Sequence, residues 1–269
     1  MNNPSPIVVC GIGGSGTRLV ANILERHNVY MGDLHNPARD CLLFNFWMYC
    51  QRPGNRSRNL YYLKLFSKSY FYHWTEEDVR EAKRKWVDIK ENNSSHSKNL
   101  RRAFEKLSKI FDVQLNSTVF GWKAPRSLLF LPEIFELYPL AKVIYVYRHP
   151  LDMAFSKNQR QLGLYADFFN INNNRSPANS LKYWLAIDQY LDGLSERYKI
   201  HRISFEKLCC RDYSELFSLE NFVDFKLKDH IVNDLVETPE SIGRWMEHGK
   251  DCFDVSDIEK VYRLGFDIG

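Results

Sequence analysis

The chain has 269 residues, of which 44% are apolar and 26% charged, with a net charge of +4. This length suits one large α/β domain with a buried core, and no apolar run approaches the roughly 18 residues of a membrane span. A mild positive charge fits an anionic small ligand better than a nucleic acid. The amino terminus has no basic segment before the first strand, which predicts no signal peptide. Six cysteines without metal-binding spacing favour reduced thiols and a cytoplasmic location.

The first predicted element is a short apolar strand, PIVVC, which runs into the glycine-rich turn GIGGSGT at residues 11–17. The following run, LVANILERH, has helical periodicity, so the turn connects a strand to a helix. Glycines tolerate positive φ, the two hydroxyl side chains can donate hydrogen bonds, and a helix N-terminus carries partial positive charge. The segment therefore predicts an anion-binding loop.

The stretch over residues 36–116 contains no recognisable motif. Helices are predicted at residues 75–91, where a capping-box pattern begins the segment, and at residues 100–111, where apolar residues form one stripe. The basic residues of both helices are interpreted as solvated faces. We expect a helical insertion here, within a single domain that spans residues 1–269.

The second half of the chain alternates strands with helices. Strands are predicted at residues 117–125, 141–150 and 200–208, and helices at residues 151–163 and 179–198. This alternation predicts an α/β fold of three layers, with a parallel sheet flanked by helices and a topology like that of P-loop NTPases. Ligands of such folds bind at the carboxyl ends of the strands.

The glycine-rich turn has the glycine spacing of a triphosphate-binding loop, but it lacks the lysine that grips a triphosphate. Thr17 occupies that slot, and Arg18 follows it. A kinase also needs an acidic residue at another strand end to hold magnesium, whereas the two candidate strands end in Arg148-His149 and in Lys123. The sequence fits an anionic ligand that backbone groups and cations hold without a metal better than it fits a magnesium-bound triphosphate. A P-loop kinase of a small metabolite remains the alternative.

A second motif follows the strongest predicted strand. The segment RHPLDMAFS places Arg148 at the strand end and Ser156 eight residues later, and arginine suits a dianionic phosphate. Together with GSGTR at residues 14–18, this motif resembles the sulfotransferases that use 3′-phosphoadenosine 5′-phosphosulfate (PAPS). Their loop has the form [K/R]-S-G-T-[T/S/R], and their strand-end motif has the form R-[D/N/H]-P-x-D-x-x-x-S. The resemblance covers the nucleotide-binding framework and leaves out residues 36–116.

The resemblance implies transfer of a sulfuryl group from PAPS to a hydroxyl or amine of a small-molecule, glycan, lipid or peptide acceptor, without a metal. It implies that the loop holds the 5′-phosphosulfate and the strand-end motif holds the 3′-phosphate. Two further segments match the family: ISFEKL, whose Phe205 would lie near the adenine, and SIGRW, whose Arg244 would close over the nucleotide. The implied cofactor-binding residues are Gly13, Gly14, Ser15, Gly16, Thr17, Arg18, Arg148, Ser156, Phe205 and Arg244. Residues 36–116 would then shape the acceptor pocket.

One position departs from the family pattern. Gly14 stands where relatives carry the lysine or arginine that stabilises the leaving phosphate. Lys123, in the family-like segment GWKAPRS, or Arg18 can replace that cation, and Lys123 is favoured because its segment is expected beside the phosphosulfate. Because this cation is missing, a second alternative stays open, in which the chain is a relative that binds the nucleotide without catalysis.

The residue that accepts the acceptor's proton is expected after the first helix, where relatives commonly carry histidine or glutamate. The segment NVYMGDLHNPARD contains Asp33, His35 and Asp40. Asp33 and His35 are the candidate bases: His35 has a suitable ordinary pKa of about 6.5, and Asp33 occupies the neighbourhood of a catalytic glutamate in some relatives. The sequence does not separate them.

Overall fold

The computed structural model describes residues 5–71, 74–91, 97–111 and 119–269. Four parallel strands form its sheet. They are β1 (Ile7–Gly11), β2 (Gly121–Lys123), β3 (Lys142–Tyr147) and β4 (Ile200–Ser204). The strand order is β2-β1-β3-β4, so β1 pairs with both β2 and β3. The predicted α/β fold with a parallel sheet is confirmed.

Helices cover both faces of the sheet. The α-helices are α1 (Thr17–Arg26), α2 (Leu42–Trp47), α3 (Arg56–Phe71), α4 (Glu76–Glu91), α5 (Ser97–Leu107), α6 (Leu131–Leu137), α7 (Pro150–Ala154), α8 (Arg160–Tyr165), α9 (Pro177–Ser195), α10 (Phe205–Cys209), α11 (Tyr213–Val223), α12 (Asp229–Leu235) and α13 (Val255–Arg263), and 3₁₀ turns cover Pro125–Phe130, Ala166–Phe169 and Arg244–Glu247. None of the helices in the described ranges has both the length and the apolar composition needed to cross a bilayer.

The apolar run of β1 explains the three layers. Successive side chains of a strand point to opposite faces, and all five residues of β1 are buried. Ile7 and Val9 pack with α1 and α11 in one core cluster. Val8 and Cys10 pack with α2, α3 and α9 in the other. A parallel strand covered on both faces needs this near-continuous apolar sequence.

The segment predicted as a helical insertion holds α2 to α5, which confirms its helical character. Its aromatic side chains pack directly on β2. The ring centroid of Phe44 lies 6.0 Å from that of Trp122, and Phe66 meets Trp122 nearly edge-on at 5.0 Å. The indole of Trp122 donates a hydrogen bond to the hydroxyl of Ser127 (3.1 Å). The insertion is therefore held against the strand that ends at Lys123.

The single helix predicted at residues 151–163 is wrong, because the structure divides it into α7 and α8 with a loop at residues 155–159 between them. The side-chain amide of Gln159 donates to the carbonyl oxygens of Met153 (3.0 Å) and Ser156 (2.8 Å). These bonds satisfy carbonyl groups at the end of α7 in place of a further helical turn. Ser156 consequently lies in a loop rather than in a helix.

Two other boundaries differ from the predictions. The helix predicted at residues 100–111 begins earlier, at residue 97, and ends at residue 107. Of the strand predicted at residues 117–125, the structure assigns residues 121–123 to β2, and residues 117–118 lie outside the described residues.

Candidate active site

The turn after β1 is arranged to bind an anion. Gly14 and Gly16 adopt φ values of 101° and 93°, which favour glycine. α1 begins at Thr17 without a side-chain cap. Within the described residues, the backbone N–H groups of Gly14, Gly16, Thr17 and Arg18 donate no hydrogen bond. Unpaired N–H groups at a helix N-terminus form a site for negative charge.

Phe205 connects this turn to the end of β3. A Cβ atom at Gly16 would overlap the Phe205 ring, so that only glycine allows the close approach. The guanidinium carbon of Arg148 lies 5.3 Å from the centroid of the same ring. The turn and Arg148 therefore contact the same side chain, although they are more than 100 residues apart in sequence.

Arg148 is buried in a polar network. Its Nη2 donates to the carbonyl oxygen of Ser241 and to the Ser241 hydroxyl (3.1 Å), and lies 3.4 Å from a carboxylate oxygen of Asp152. Its Nε lies 3.7 Å from the Glu206 carboxylate but makes no hydrogen bond within the described residues. The guanidinium is thus held in place and retains an unused donor.

The segment around Ser241 is fixed by Asp152, whose carboxylate accepts hydrogen bonds from the backbone N–H groups of Gly243 (2.8 Å) and Trp245 (3.2 Å). Arg244 donates from Nε to the Ser241 carbonyl oxygen (3.1 Å). Burial and then the charge of Arg148 lower the pKa of Arg244 below its ordinary value. Two guanidinium groups therefore converge on one carbonyl oxygen.

A cleft of about 810 Å³, here called the strand-end cleft, opens at the carboxyl ends of the strands. Its walls include Gly14, Thr17, Arg18, Lys123, Arg148 and Phe205. The structure thus brings the two sequence motifs to one cleft. Gly13 and Gly16 also line it.

Three predicted ligand-binding residues are absent from the walls of the strand-end cleft. Ser15 is buried under the turn, and its hydroxyl has no hydrogen-bond partner among the described residues. Ser156 lies beside the turn, with its Oγ 3.2 Å from the position that a Cβ atom would take at Gly14. Arg244 lies behind Ser241.

Lys123 and Asp40 form an ion pair in the wall of the cleft. The ammonium group of Lys123 also donates to the carbonyl oxygen of Ala38 (2.8 Å), and Lys123 is only 3% exposed. Burial lowers the pKa of Lys123, Asp40 opposes this effect, and the nearby positive charge of Arg18 adds to it. Asp40 also accepts a hydrogen bond from the side-chain amide of Asn36 (2.8 Å).

The two candidate bases lie away from the strand-end cleft. Asp33 is exposed; it accepts a hydrogen bond from the Tyr30 hydroxyl (2.7 Å) and pairs with Lys106 (3.4 Å). Nε2 of His35 donates to the carbonyl oxygen of Met31 (2.8 Å). Burial lowers the pKa of His35 below its ordinary value. The role of Asp33 or His35 as the base stays a prediction, and their positions outside the cleft walls do not favour it.

A second cavity of about 280 Å³ adjoins the first. Gly13, Asp40, Pro125 and Asn158 line both, so the two meet beside the turn and the ion pair. The remaining wall comes from α2, α5, α8 and the 3₁₀ turn after β2, and includes Arg126 and Arg160. The sequence predictions did not select Asp40, Arg126 or Arg160. The signal for Asp40 was its place in the segment NVYMGDLHNPARD, and the signal for Arg126 was its position three residues after Lys123.

His149 has a structural position at the start of α7. Its Nδ1 accepts a hydrogen bond from the backbone N–H of Leu151 (3.3 Å), and its Nε2 donates to the carbonyl oxygen of Asp267 (2.7 Å). Its ring also stacks on Trp245, with centroids 5.6 Å apart. These contacts hold the turn after β3 in place.

Comparison with known proteins identifies the class. A sequence model described as the Sulfotransferase family matches residues 6–229, and the chain therefore belongs to the sulfotransferase family, whose members are enzymes of sulfuryl transfer. Among curated protein sequences, none matches the chain significantly. This family membership favours sulfuryl transfer over the alternative of a small-metabolite kinase.

Solved structures agree with this fold. The chain is similar to the Sulfotransferase Domain from the Curacin Biosynthetic Pathway, with 15% identity, a TM-score of 0.57 and coverage of 99% of each chain. It is also similar to the Sulfotransferase Domain from the Synechococcus PCC 7002 Olefin Synthase, with 16% identity, a TM-score of 0.52 and coverage of 100% of this chain and 98% of that one. At such identities the similarity shows the fold alone.

Proposed function

We propose that this sulfotransferase takes its sulfuryl group from PAPS, bound in the strand-end cleft, and transfers it to a hydroxyl or amine. One observation carries the proposal: the turn after β1 and Arg148 line the same cleft, with Phe205 in contact with both. The volume of about 810 Å³ falls within the range of ~300–1,000 Å³ common for small-molecule sites. One nucleotide can therefore contact both motifs.

The turn fits the sulfated end of the donor. Its unpaired N–H groups and the N-terminus of α1 offer hydrogen bonds and partial positive charge to a phosphosulfate. Thr17 lines the cleft and adds a hydroxyl. Arg18 is exposed there and makes no ion pair within the described residues, so its charge is available to the phosphate.

The region around Ser241 fits the 3′-phosphate. Arg148 and Arg244 converge there, and guanidinium groups form strong charge-assisted hydrogen bonds with a phosphate. The Ser241 hydroxyl lies beside Arg148 and can donate a further bond. Phe205 lies between this region and the turn, where an adenine or ribose would contact its ring. Ser156 stays a prediction, since its hydroxyl lies beside Gly14.

PAPS would supply an activated sulfuryl group with adenosine 3′,5′-bisphosphate (PAP) as leaving group. We assign stabilisation of the leaving phosphate to Lys123, because its buried ammonium lies in the cleft wall and interacts electrostatically with Arg18. A positive charge held in a poorly solvated site stabilises developing negative charge strongly. Lys123 thereby takes the place of the cation that Gly14 lacks, with Arg18 as a second cation.

We assign Asp40, rather than Asp33 or His35, as the base that removes the acceptor's proton. Asp40 lines both the strand-end cleft and the adjoining cavity, so an acceptor in that cavity meets the donor beside its carboxylate. Lys123 and Asn36 hold the carboxylate in position. A base must lie within hydrogen-bond reach of the proton that it removes, and of these three residues only Asp40 lines the strand-end cleft.

Calorimetric titration with PAP, AMP and ADP, each with and without magnesium, tests this proposal. We expect PAP to bind most tightly and independently of magnesium, because the site holds phosphates through cations and backbone N–H groups. Tighter binding of ADP that requires magnesium would support the kinase instead. Firm PAP binding without transfer to any acceptor would support a relative without catalysis.

A reducing, cytoplasmic setting belongs to the same proposal. All six cysteines lie within the described residues, and all are free thiols. Burial raises the pKa of Cys209 to about 11 and that of Cys41 to about 12, which suppresses the reactive thiolate form.

A further inference from the structure

The cavity of about 280 Å³ beside the strand-end cleft, here called the arginine cavity, has a composition that indicates its ligand. It opens toward the turn and Asp40, where the proposed sulfuryl transfer takes place, and it is therefore the place for an acceptor. Arg126 and Arg160 contribute to its wall from two separate segments, the 3₁₀ turn after β2 and the start of α8.

The guanidinium groups of these two arginines are not engaged in direct contacts that the structure describes. Both are half-buried, and neither makes a hydrogen bond or ion pair with any described residue. The pKa of Arg160 is lowered, first by burial and next by the positive charge of Arg126. The carboxylate in the wall, Asp40, is already bonded to Lys123 and Asn36. The attraction of Asp40 for Arg160 does not offset burial and the charge of Arg126, since the pKa of Arg160 stays lowered, so the two like charges favour the binding of an anion.

The rest of the wall limits the ligand's size and shape. Leu42, Leu100 and Leu164 contribute apolar surface, while Asn45 and Tyr49 add polar side chains. A volume of about 280 Å³ accommodates one ring or a short chain that carries an anionic group. A compact acceptor with an apolar body, one anionic group and one hydroxyl or amine satisfies every part of this wall.

We propose that the acceptor is a small anion, in which a carboxylate or phosphate binds Arg126 and Arg160 while the hydroxyl or amine that receives the sulfuryl group faces Asp40. This inference rests on the proposed function, because it places the acceptor beside the donor. Arginine pairs bind such oxyanions with charge-assisted, often bidentate hydrogen bonds.

The first experiment compares three probes on PAP-saturated protein by calorimetry: 4-hydroxybenzoate, 4-hydroxyphenyl phosphate and the neutral 4-hydroxybenzamide. We expect at least one anion to bind about tenfold more tightly than the amide, as hydrogen bonds to charged groups predict. Preference for the carboxylate or the phosphate identifies which oxyanion the cavity accepts. Equal binding of anions and amide, or no binding of either anion, would overturn the inference.

Variants of the two arginines test whether these side chains cause the preference for an anion. Arg126→Gln and Arg160→Gln are each expected to bring anion and amide within about twofold of each other, whereas Arg80→Gln, at an exposed position on α4, is expected to keep the preference. An unchanged preference in both cavity variants would overturn the inference. The PAP titration that precedes each measurement reports on the proposed function separately: if PAP fails to bind, the donor assignment fails, and if PAP binds without anion preference, only this inference fails.

A second measurement distinguishes a ligand-binding role from a structural one. Because the two charges oppose each other in the ligand-free protein, Arg160→Gln is expected to raise the melting temperature by roughly 2 °C. The anionic probe is expected to raise the melting temperature of the PAP-bound wild type and not that of Arg160→Gln. A fall of several degrees in the ligand-free variant would show that Arg160 supports the fold instead, and would contradict the inference.

Discussion

The strand-end cleft and the arginine cavity share four wall residues but are built differently. The cleft takes its main features from strand ends: a turn with two glycines at positive φ, unpaired backbone N–H groups, and an arginine that pairs with the carboxylates of Asp152 and Glu206. The arginine cavity takes its features from individual side chains on helices. In the proposed assignment, donor recognition depends mainly on the strand ends, whereas acceptor recognition depends on the packing of distant segments.

The ion pair of Lys123 and Asp40 lies where the two regions meet. Lys123 lines only the cleft, and Asp40 lines both cavities. If the cleft binds the donor and the arginine cavity binds the acceptor, changes in the cleft alter donor binding and changes in the arginine cavity alter acceptor selection. Changes at the ion pair then alter the chemical step.

Lys123→Ala is expected to have the largest effect, a loss of about 10²–10³-fold in kcat, because removal of one preorganised stabilising group commonly has this magnitude. PAP affinity, measured by calorimetry, is expected to change by less than about threefold, since the turn and Arg148 remain. Release of PAP from PAPS in the presence of an acceptor reports kcat. Arg18→Gln is the matched comparison, because Arg18 is exposed in the same cleft. If Lys123→Ala keeps full turnover and Arg18→Gln loses it, the stabilising cation is Arg18.

Arg148→Ala is expected to weaken PAP binding by about 100-fold, because truncation of a buried charged partner commonly costs about 2–5 kcal/mol. AMP, which lacks the 3′-phosphate, is expected to lose no more than about threefold. Since truncation also leaves Asp152 and Glu206 without their cation, Arg148→Lys serves as the paired variant and is expected to recover part of the PAP affinity. Equal losses for PAP and AMP in both variants would remove Arg148 from the 3′-phosphate site.

Much of the fold was predictable from the sequence because its central strands are continuous apolar runs. The run at residues 142–147 is buried at its four inner positions, as its composition indicates. At residues 151–163 the apolar periodicity continues through the segment, whereas the side-chain amide of Gln159 bonds carbonyl oxygens where α7 ends. Periodicity arguments do not include such side-chain capping.

The site was predictable where it depends on contiguous residues. The turn and Arg148 both line the strand-end cleft, whereas Ser15 and Ser156 do not. Asp40 was not selected, because a long-range hydrogen bond from the backbone N–H of Cys41 to the carbonyl oxygen of Lys123 (2.7 Å) brings it to the cleft. Arg126 and Arg160 are 34 residues apart and belong to no motif. Such juxtapositions arise from tertiary packing, which the sequence pattern does not specify.

Gly14→Lys restores the cation found in relatives, yet it is expected to lower stability by about 1–2 kcal/mol without raising turnover. The φ of 101° disfavours any side chain, and a Cβ atom would lie 3.2 Å from the Ser156 hydroxyl. Denaturant unfolding measures the first effect and PAP release the second. Gly193→Lys is the matched control, because nothing lies within 4 Å of its added Cβ atom; it is expected to be neutral or slightly stabilising. Higher turnover in Gly14→Lys would show that the missing cation limits the enzyme.

The smallest effect concerns the pH dependence of turnover. Burial holds the pKa of Lys123 below its ordinary value of 10.5, and the proposed role needs the charged form. The contribution of Lys123 to turnover should therefore be constant below this lowered pKa and fall as the pH rises through it. Lys123→Arg is expected to lack this alkaline decline, since arginine keeps its charge. A wild-type decline that persists unchanged in Lys123→Arg would assign it to another group.

Stability distinguishes this decline from alkaline unfolding. Because the folded pKa of Lys123 lies below the unfolded one, the unfolded chain binds more protons between the two values. The contribution of Lys123 to the free energy of unfolding therefore rises with pH across that window, while turnover falls. Unfolding titrations of wild type and Lys123→Arg over the same pH range measure the difference. If the wild type loses stability relative to Lys123→Arg as its turnover falls, the decline belongs to the fold, and Lys123 is not its source.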